Sequence, residues 1–270
     1  LWEVFPPFCD ALPRLDVKAP QLAESLGPML EIVSGDLAGG SIYRAVRKIA
    51  SQSREKAEEF FLALMDREES PVIALAANAL LGLSSHDLEE AHQRALELTR
   101  SDVPVIIRVG IDVLGRLDYP DDGDLLASSM GRLSDLKERG DPEIDYVLAQ
   151  AYGSLVEETG EAKDALIELA SRPDPRTQHH ITQALYSIDD VLQEPWVHTL
   201  LVRLAGAGVN DTAGLDNLDL HLSQLASDSP DVVVEVLGKF ASSSTDGNLT
   251  EIFDSSVSQL QEAHPEKLEA

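Results

Sequence analysis

The sequence predicts an all-α protein, a right-handed α-α superhelix (a solenoid) of about seven helical pairs. Three observations carry that expectation. The first is the stretch from Ser101 to Leu117. Val103, Ile107, Ile111, Leu114 and Leu117 recur there at helical period as one apolar stripe, with Arg108, Asp112 and Arg116 running beside it. The second is recurrence. Pro71, Pro104, Pro142 and Pro175 stand 33, 38 and 33 residues apart, and Ser70, Asp102, Asp141 and Asp174 offer N-capping side chains just ahead of them. The third is that alternating apolar and polar runs, the mark of strands, hardly occur.

Residues 1–20 carry Pro6, Pro7, Pro13 and Pro20 among scattered apolar residues and read as an irregular cap, leaving 21–270 for the repeats. The first pair is Gln21 to Val33 and Ser41 to Ser51, parted by a turn at Gly35, Gly39 and Gly40. Arg54 to Arg67 precedes Pro71 to Leu83, Asp87 to Thr99 precedes Pro104 to Leu117, and Asp124 to Arg139 precedes Pro142 to Glu157. Glu161 to Ser171 with Pro175 to Ile188, Pro195 to Ala205 with Gly214 to Ala226, and Pro230 to Ser242 with Asn248 to Ala263 complete the series. Aligned on the prolines, Gly82, Gly115 and Gly153 share one column, where a small residue lets neighbouring helices approach closely.

Composition excludes several classes. The single cysteine, Cys9, rules out an internal disulfide and any multi-cysteine zinc site, and a reducing, cytoplasmic setting is expected. No apolar run approaches the length of a membrane span. Acidic residues number 48 against 21 basic ones, a formal net charge of −27, which disfavours nucleic-acid binding because cations supply most of that affinity. From Thr177 onward only Arg203, Lys239 and Lys267 face fifteen carboxylates. Such a surface attracts a basic partner, or suits a halophilic protein whose self-repulsion is screened by salt.

The second helix of each pair carries a pattern. Asp102, Pro104, Ile107-Arg108, Ile111 and Leu114-Gly115 follow it best, and the chain on these residues resembles the HEAT-repeat (armadillo-like) family, whose second helix commonly reads Asp-Pro-x-Val-Arg, then an apolar residue and Leu-Gly. Ser70-Pro71 through Leu81-Gly82 keeps the frame with Leu75 at the Arg position. Asp141-Pro142 with Tyr152-Gly153 places Tyr146 there. Asp174-Pro175 places His179 there and Tyr186 at the glycine. The likeness covers about residues 20–190 and continues beyond by rhythm alone. It implies a double layer of helices whose second members line a concave groove, the usual place for a partner. Arg108 and Asp112 sit on well-matched positions, and columns of this kind often knit one repeat to the next.

Arg44, Arg47 and Lys48 share one face of such a second helix, where they are suited to an acidic or phosphorylated ligand or to pairing with the adjacent repeat. Arg54 and Lys56 follow, and Arg108 and Arg116 would extend the row into a basic stripe. His179-His180 beside Gln183 is the best polar knot on a later second helix. The carboxylates from Asp118 to Asp124 suggest a calcium loop, but with Gly123 at the sixth position Pro120 and Ser129 replace required ligands, so a capped turn fits better. Glu194 and His198 lie one helical turn apart without a third ligand. Asn210-Asp211-Thr212 and Asn248-Leu249-Thr250 match the glycosylation triplet, which is a coincidence in a cytoplasmic chain. No catalytic triad order, phosphate-cradling glycine loop or HExxH helix occurs in the chain.

The expectation is therefore a non-catalytic scaffold that needs no cofactor or metal. Its partner is a protein, with a basic surface if net charge decides, held through Arg44, Arg47, Lys48, Arg108, Asp112, Arg116, His179 and Gln183. Two alternatives follow from the same features. Some HEAT-like proteins are bilin lyases and others DNA glycosylases. The glycosylase reading collides with the charge, and a lyase would line its pocket from only five Tyr and two Trp. An acidic solenoid also has the means to imitate nucleic acid and inhibit a DNA-binding protein.

Overall fold

The computed structural model describes residues 5–15, 18–32, 39–67, 70–120, 123–186, 192–208, 212–243 and 252–268. Among them every regular element is helical. The chain forms two compact units, Leu1–Leu133 and Ser134–Ala270. Unit 1 holds α1 (Phe5–Ala11), a 3-10 turn (Leu12–Arg14), α2 (Ala19–Ile32), α3 (Gly39–Ala50), α4 (Arg54–Met65), α5 (Ser70–Leu83), α6 (Leu88–Leu98), α7 (Pro104–Arg116) and the greater part of α8 (Asp124–Lys137). Unit 2 holds α9 (Pro142–Leu155), α10 (Gly160–Leu169), α11 (Pro175–Tyr186), α12 (Pro195–Ala207), α13 (Thr212–Leu225), α14 (Pro230–Ser243), α15 (Asp254–Ala263) and a closing 3-10 turn (Pro265–Lys267).

Each unit is a stack in two rows. In unit 1, α1, α3, α5 and α7 touch in succession while α2 packs on α4, with α4 against α5 and α6 against α7 across the rows. In unit 2, α9, α11, α13 and α15 make the second row and α10, α12 and α14 the first. This repeated packing is that of an all-α solenoid. No pair of helices encloses its apolar face alone, so neighbours must complete it.

The polar ties show the period directly. Arg54–Asp87, His92–Ser129, Arg116–Asn78 and Arg132–Thr99 in unit 1, with Lys137–Glu168, Arg172–Lys137, Asn217–Thr182 and Ser256–Asp219 in unit 2, join residues between 31 and 38 apart. One repeat length separates the partners in each tie.

Local chemistry explains the helix starts, with one correction. Asp141 accepts from the Glu143 amide at 3.0 Å and Asp174 from the Thr177 amide at 2.8 Å, since each directly precedes the proline that opens its helix. Asp102 does not cap α7. One residue intervenes before Pro104, so Val103 takes the N-cap position, without a side-chain bond, and its own amide donates to Ser101 Oγ at 3.1 Å. Val103 also leaves the expected stripe and is 47% exposed, while Ile107, Ile111, Leu114 and Leu117 are buried. The proline-rich opening is less irregular than expected. α1 forms there because Pro6 and Pro7 both fall in the first turn, where a missing N–H costs nothing.

Glycine sets the closeness of the stack at Gly82, Gly110 and Gly153, where an added Cβ would come within 3.0 Å of a neighbour. A Cβ on Gly82 would come within 3.0 Å of Ala50 on α3, and one on Gly153 would meet Ala184 on α11. Both helices rest on a neighbour through bare backbone. The Gly35 turn, the helix start at Asn248, both glycosylation asparagines and the Asp121-Asp122 pair lie outside the described residues.

Candidate functional site

The second row of unit 1 gathers most of the candidate residues. Arg44, Arg47 and Lys48 lie on α3, with Arg44 and Lys48 exposed. Arg44 Nη2 donates to Ser41 Oγ at 3.1 Å, and Arg47 lies 4.0 Å from the exposed Asp118 carboxylate just beyond α7. On α7, Arg116 grips both oxygens of Asp112 at 3.2 and 3.0 Å and reaches back to Asn78 Oδ1 on α5 at 3.1 Å. Arg108 is half-buried and already engaged. The row is therefore no unbroken basic stripe. Asp112 and Asp118 interleave with the guanidinium groups, and the uncompensated cations gather at its α3 end.

Burial and charge shape this row together. Burial pushes the Asp112 carboxyl up, against the pull of the Arg116 guanidinium and its hydrogen bond. The Tyr43 hydroxyl on α3 is pushed up chiefly by burial and further by Asp112, with Arg116 opposing. Tyr43 of α3, Asn78 of α5 and the Asp112–Arg116 pair of α7 thus form one interdependent cluster across three repeats.

In unit 2 the second row carries aromatic rings on α9 and α11. His180 stacks on Tyr146 of α9 with centroids 5.3 Å apart and 26° between planes, and the Arg176 guanidinium lies 5.2 Å from the same ring. His179 meets His180 edge-on at 5.5 Å. Gln183 is exposed beside them. Burial holds the His180 imidazole below its usual basicity and His179 adds to this, while Gln183 and Asp174 pull it back up. His179, His180 and Gln183 all lie on α11.

Other residues emerge only in three dimensions. Asp145, 2% exposed, accepts an ion pair from Arg172 Nη1 at 2.6 Å, and Arg172 Nη2 donates to the Lys137 carbonyl at 2.8 Å. Burial raises the Asp145 carboxyl despite Arg172. Asp219 accepts from the amides of Ser255 at 3.2 Å and Ser256 at 2.9 Å, so it caps α15 from α13, where Phe253 at the N-cap offers no side-chain bond. His221 Nε2 donates to the Thr182 carbonyl at 3.0 Å; a carbonyl only accepts, so the proton is on Nε2. No spacing within one helix marks these pairs. The one signal available was a charged or imidazole residue at a position where the period demands an apolar one.

Glu194 does not approach His198 as a ligand partner. It accepts from Lys163 Nζ at 3.0 Å and from Trp196 Nε1 at 2.6 Å. Among the described residues no group of three or more His, Cys, Asp or Glu is placed to hold a metal ion, and no helix is long and apolar enough to cross a membrane. Comparison with protein-family models, with curated proteins and with solved structures found no match.

Proposed function

We propose that this chain is a non-catalytic protein-interaction scaffold, a right-handed HEAT-like superhelix that docks a protein partner along its second row of helices. The observation that carries the reading is the unequal use of charge along that row in unit 1. Arg116 is consumed by Asp112 and Asn78, whereas Arg44 and Lys48 stand exposed on α3 within a chain of net charge −27. In so acidic a molecule an exposed cationic edge is the place where a partner's acidic segment gains most. That favours a partner with an acidic docking segment over the basic-surfaced one that net charge alone suggests.

Charge reversal tests it. Arg44→Glu combined with Lys48→Glu should abolish recovery of the partner in a pull-down at physiological salt, while Lys239→Glu, reversing an exposed cation on α14, should leave it intact. Equal recovery by all three proteins would move the docking surface away from α3.

A further inference from the structure

Unit 2 joins three successive second-row helices through two histidines. On α11, His180 stacks against Tyr146 of α9, and the opening turn of α11 also sends Arg176 over that ring and to Glu143 Oε1 at 3.0 Å. On α13, His221, 2% exposed, reaches the Thr182 carbonyl of α11. Beside it Asn217 Nδ2 donates to Thr182 Oγ1 at 3.3 Å, and Thr182 Oγ1 donates to the His179 carbonyl at 2.8 Å. Imidazole rings thus link α9 to α11, alongside the Arg176–Glu143 ion pair, and α11 to α13.

We propose that this seam is an acid-sensitive joint, in which placing a charge on His180 or His221 loosens the packing of α11 against α9 and α13, although the His221 Nε2–H still reaches the Thr182 carbonyl. It stands independently of the docking reading above. Both rings sit where charge is costly. Burial lowers the basicity of His221, with its bond to Thr182 opposing, and burial followed by His179 lowers that of His180. A protonated His180 would add a second cation to the Tyr146 ring that Arg176 already covers, and it would repel His179.

Among the described residues, the charges on the helices packed against the seam are exposed or engaged elsewhere. On α11 itself, Asp174 at the cap pulls His180 upward, but it also holds the Thr177 amide and hydroxyl. From α9, Glu143 is taken up by Arg176 and Asp145 by Arg172. From α10, Glu161, Asp164 and Glu168 are exposed, and Lys163 is bound to Glu194. On α13, Asp216 is exposed and Asp219 is committed to the amides of Ser255 and Ser256. From α14, Asp231, Glu235 and Lys239 are exposed, as are Asp254 and Glu262 of α15.

The sign follows from linkage. A histidine less basic in the folded than in the unfolded chain contributes stability in full above its ordinary value near 6.5. That stability is lost as pH falls through the folded value. Asp145 acts in the opposite sense, because a carboxyl raised by folding takes up its proton more readily in the native state, so acidification does not weaken unit 2 through it. Hydrogen exchange of the full chain, corrected for intrinsic rate, tests the joint between about pH 7.5 and about pH 5.5. The amides of α11 and α13 should lose protection several-fold, while those of α3 and α5 keep theirs. His92 in unit 1 is buried between α6 and α8, so those two helices are left out of the comparison.

The double variant His180→Phe, His221→Gln retains a ring for Tyr146 and an amide donor for Thr182, and it should remove the acid loss. Unchanged wild-type protection in α11 and α13, or an equal acid loss in the double variant, overturns the proposal. Imidazole proton shifts of the wild-type chain give a second readout that needs no variant. His180 and His221 should titrate below the ordinary histidine range, and titration at or above it overturns the proposal as well.

Discussion

In unit 1 the ties between repeats run chiefly through guanidinium groups, whereas in unit 2 beyond α11, apart from Lys267 on Asp231, they run through backbone amides, hydroxyls and imidazoles. Arg54 alone holds Glu58, Asp87 Oδ2 at 3.0 Å and Glu90 at 2.9 Å, and Arg94 shares Glu58 and Glu90 with it. The corresponding work in unit 2 is done by Asp219 on two amides, His221 on a carbonyl, and His264 on the Ser227 carbonyl at 3.0 Å. Composition explains the change. From Thr177 onward the chain has three basic residues for fifteen acidic ones, so most carboxylates there must find N–H groups and most ties use neutral donors. One architecture is thus stapled in two ways, one weakened by salt and the other by acid.

The deepest staple of unit 2 gives the largest expected effect. Asp145→Ala takes the buried partner from Arg172, which keeps the Lys137 carbonyl, and should cost about 1.5–3 kcal/mol in denaturant unfolding. A cost as small as that of Arg116→Ala, expected below about 1 kcal/mol because that pair is half-exposed, would erase the distinction between buried and surface ties. The glycine contacts come next and should be alike in both units. Gly82→Val and Gly153→Val each drive a side chain into a neighbouring helix and should lower stability by about 1–3 kcal/mol. A harmless Gly153→Val would mean that α9 and α11 stand farther apart than α3 and α5.

Asp219→Ala removes the borrowed cap of α15 and should cost about 1 kcal/mol, with faster hydrogen exchange confined to Ser255, Ser256 and the turn they begin. Loss of protection throughout unit 2 would make Asp219 a core residue rather than a cap. The smallest effect is that of salt. The melting temperature should rise from dilute buffer to molar salt as repulsion within the −27 charge is screened, and amides of α12 to α15 should gain more protection than those of α4 to α6. A uniform gain would remove ion pairing as the difference between the units, and no gain at all would remove self-repulsion.

Much of this was legible in the residues. The helix pairs came from apolar periodicity and proline spacing, because both are local: a stripe every three to four residues and a φ fixed by Pro104, Pro142 and Pro175 need no distant partner. The site was legible only in part. Arg44, Arg47 and Lys48 share a face because they share α3, and helical spacing says so. That Asp118 would come back to Arg47, or Asn78 to Arg116, depended on how far each repeat is offset from the next. The misplaced cap at Asp102 has a smaller cause. One inserted residue, Val103, moved the N-cap by one position, and a frame drawn on prolines treats Asp-Val-Pro and Asp-Pro alike.

The sequence by itself determined that this protein is a series of helical pairs and how its charge is distributed along the chain, since both are properties of neighbours within a few residues. Only the tertiary structure decided which carboxylates are spent at a distance: Asp145 on Arg172 and Asp219 on the amides of α15. Each of these pairings closes across roughly a repeat length of chain, and it is selected because the packed stack takes both partners out of water, where a charge left without its partner is costly.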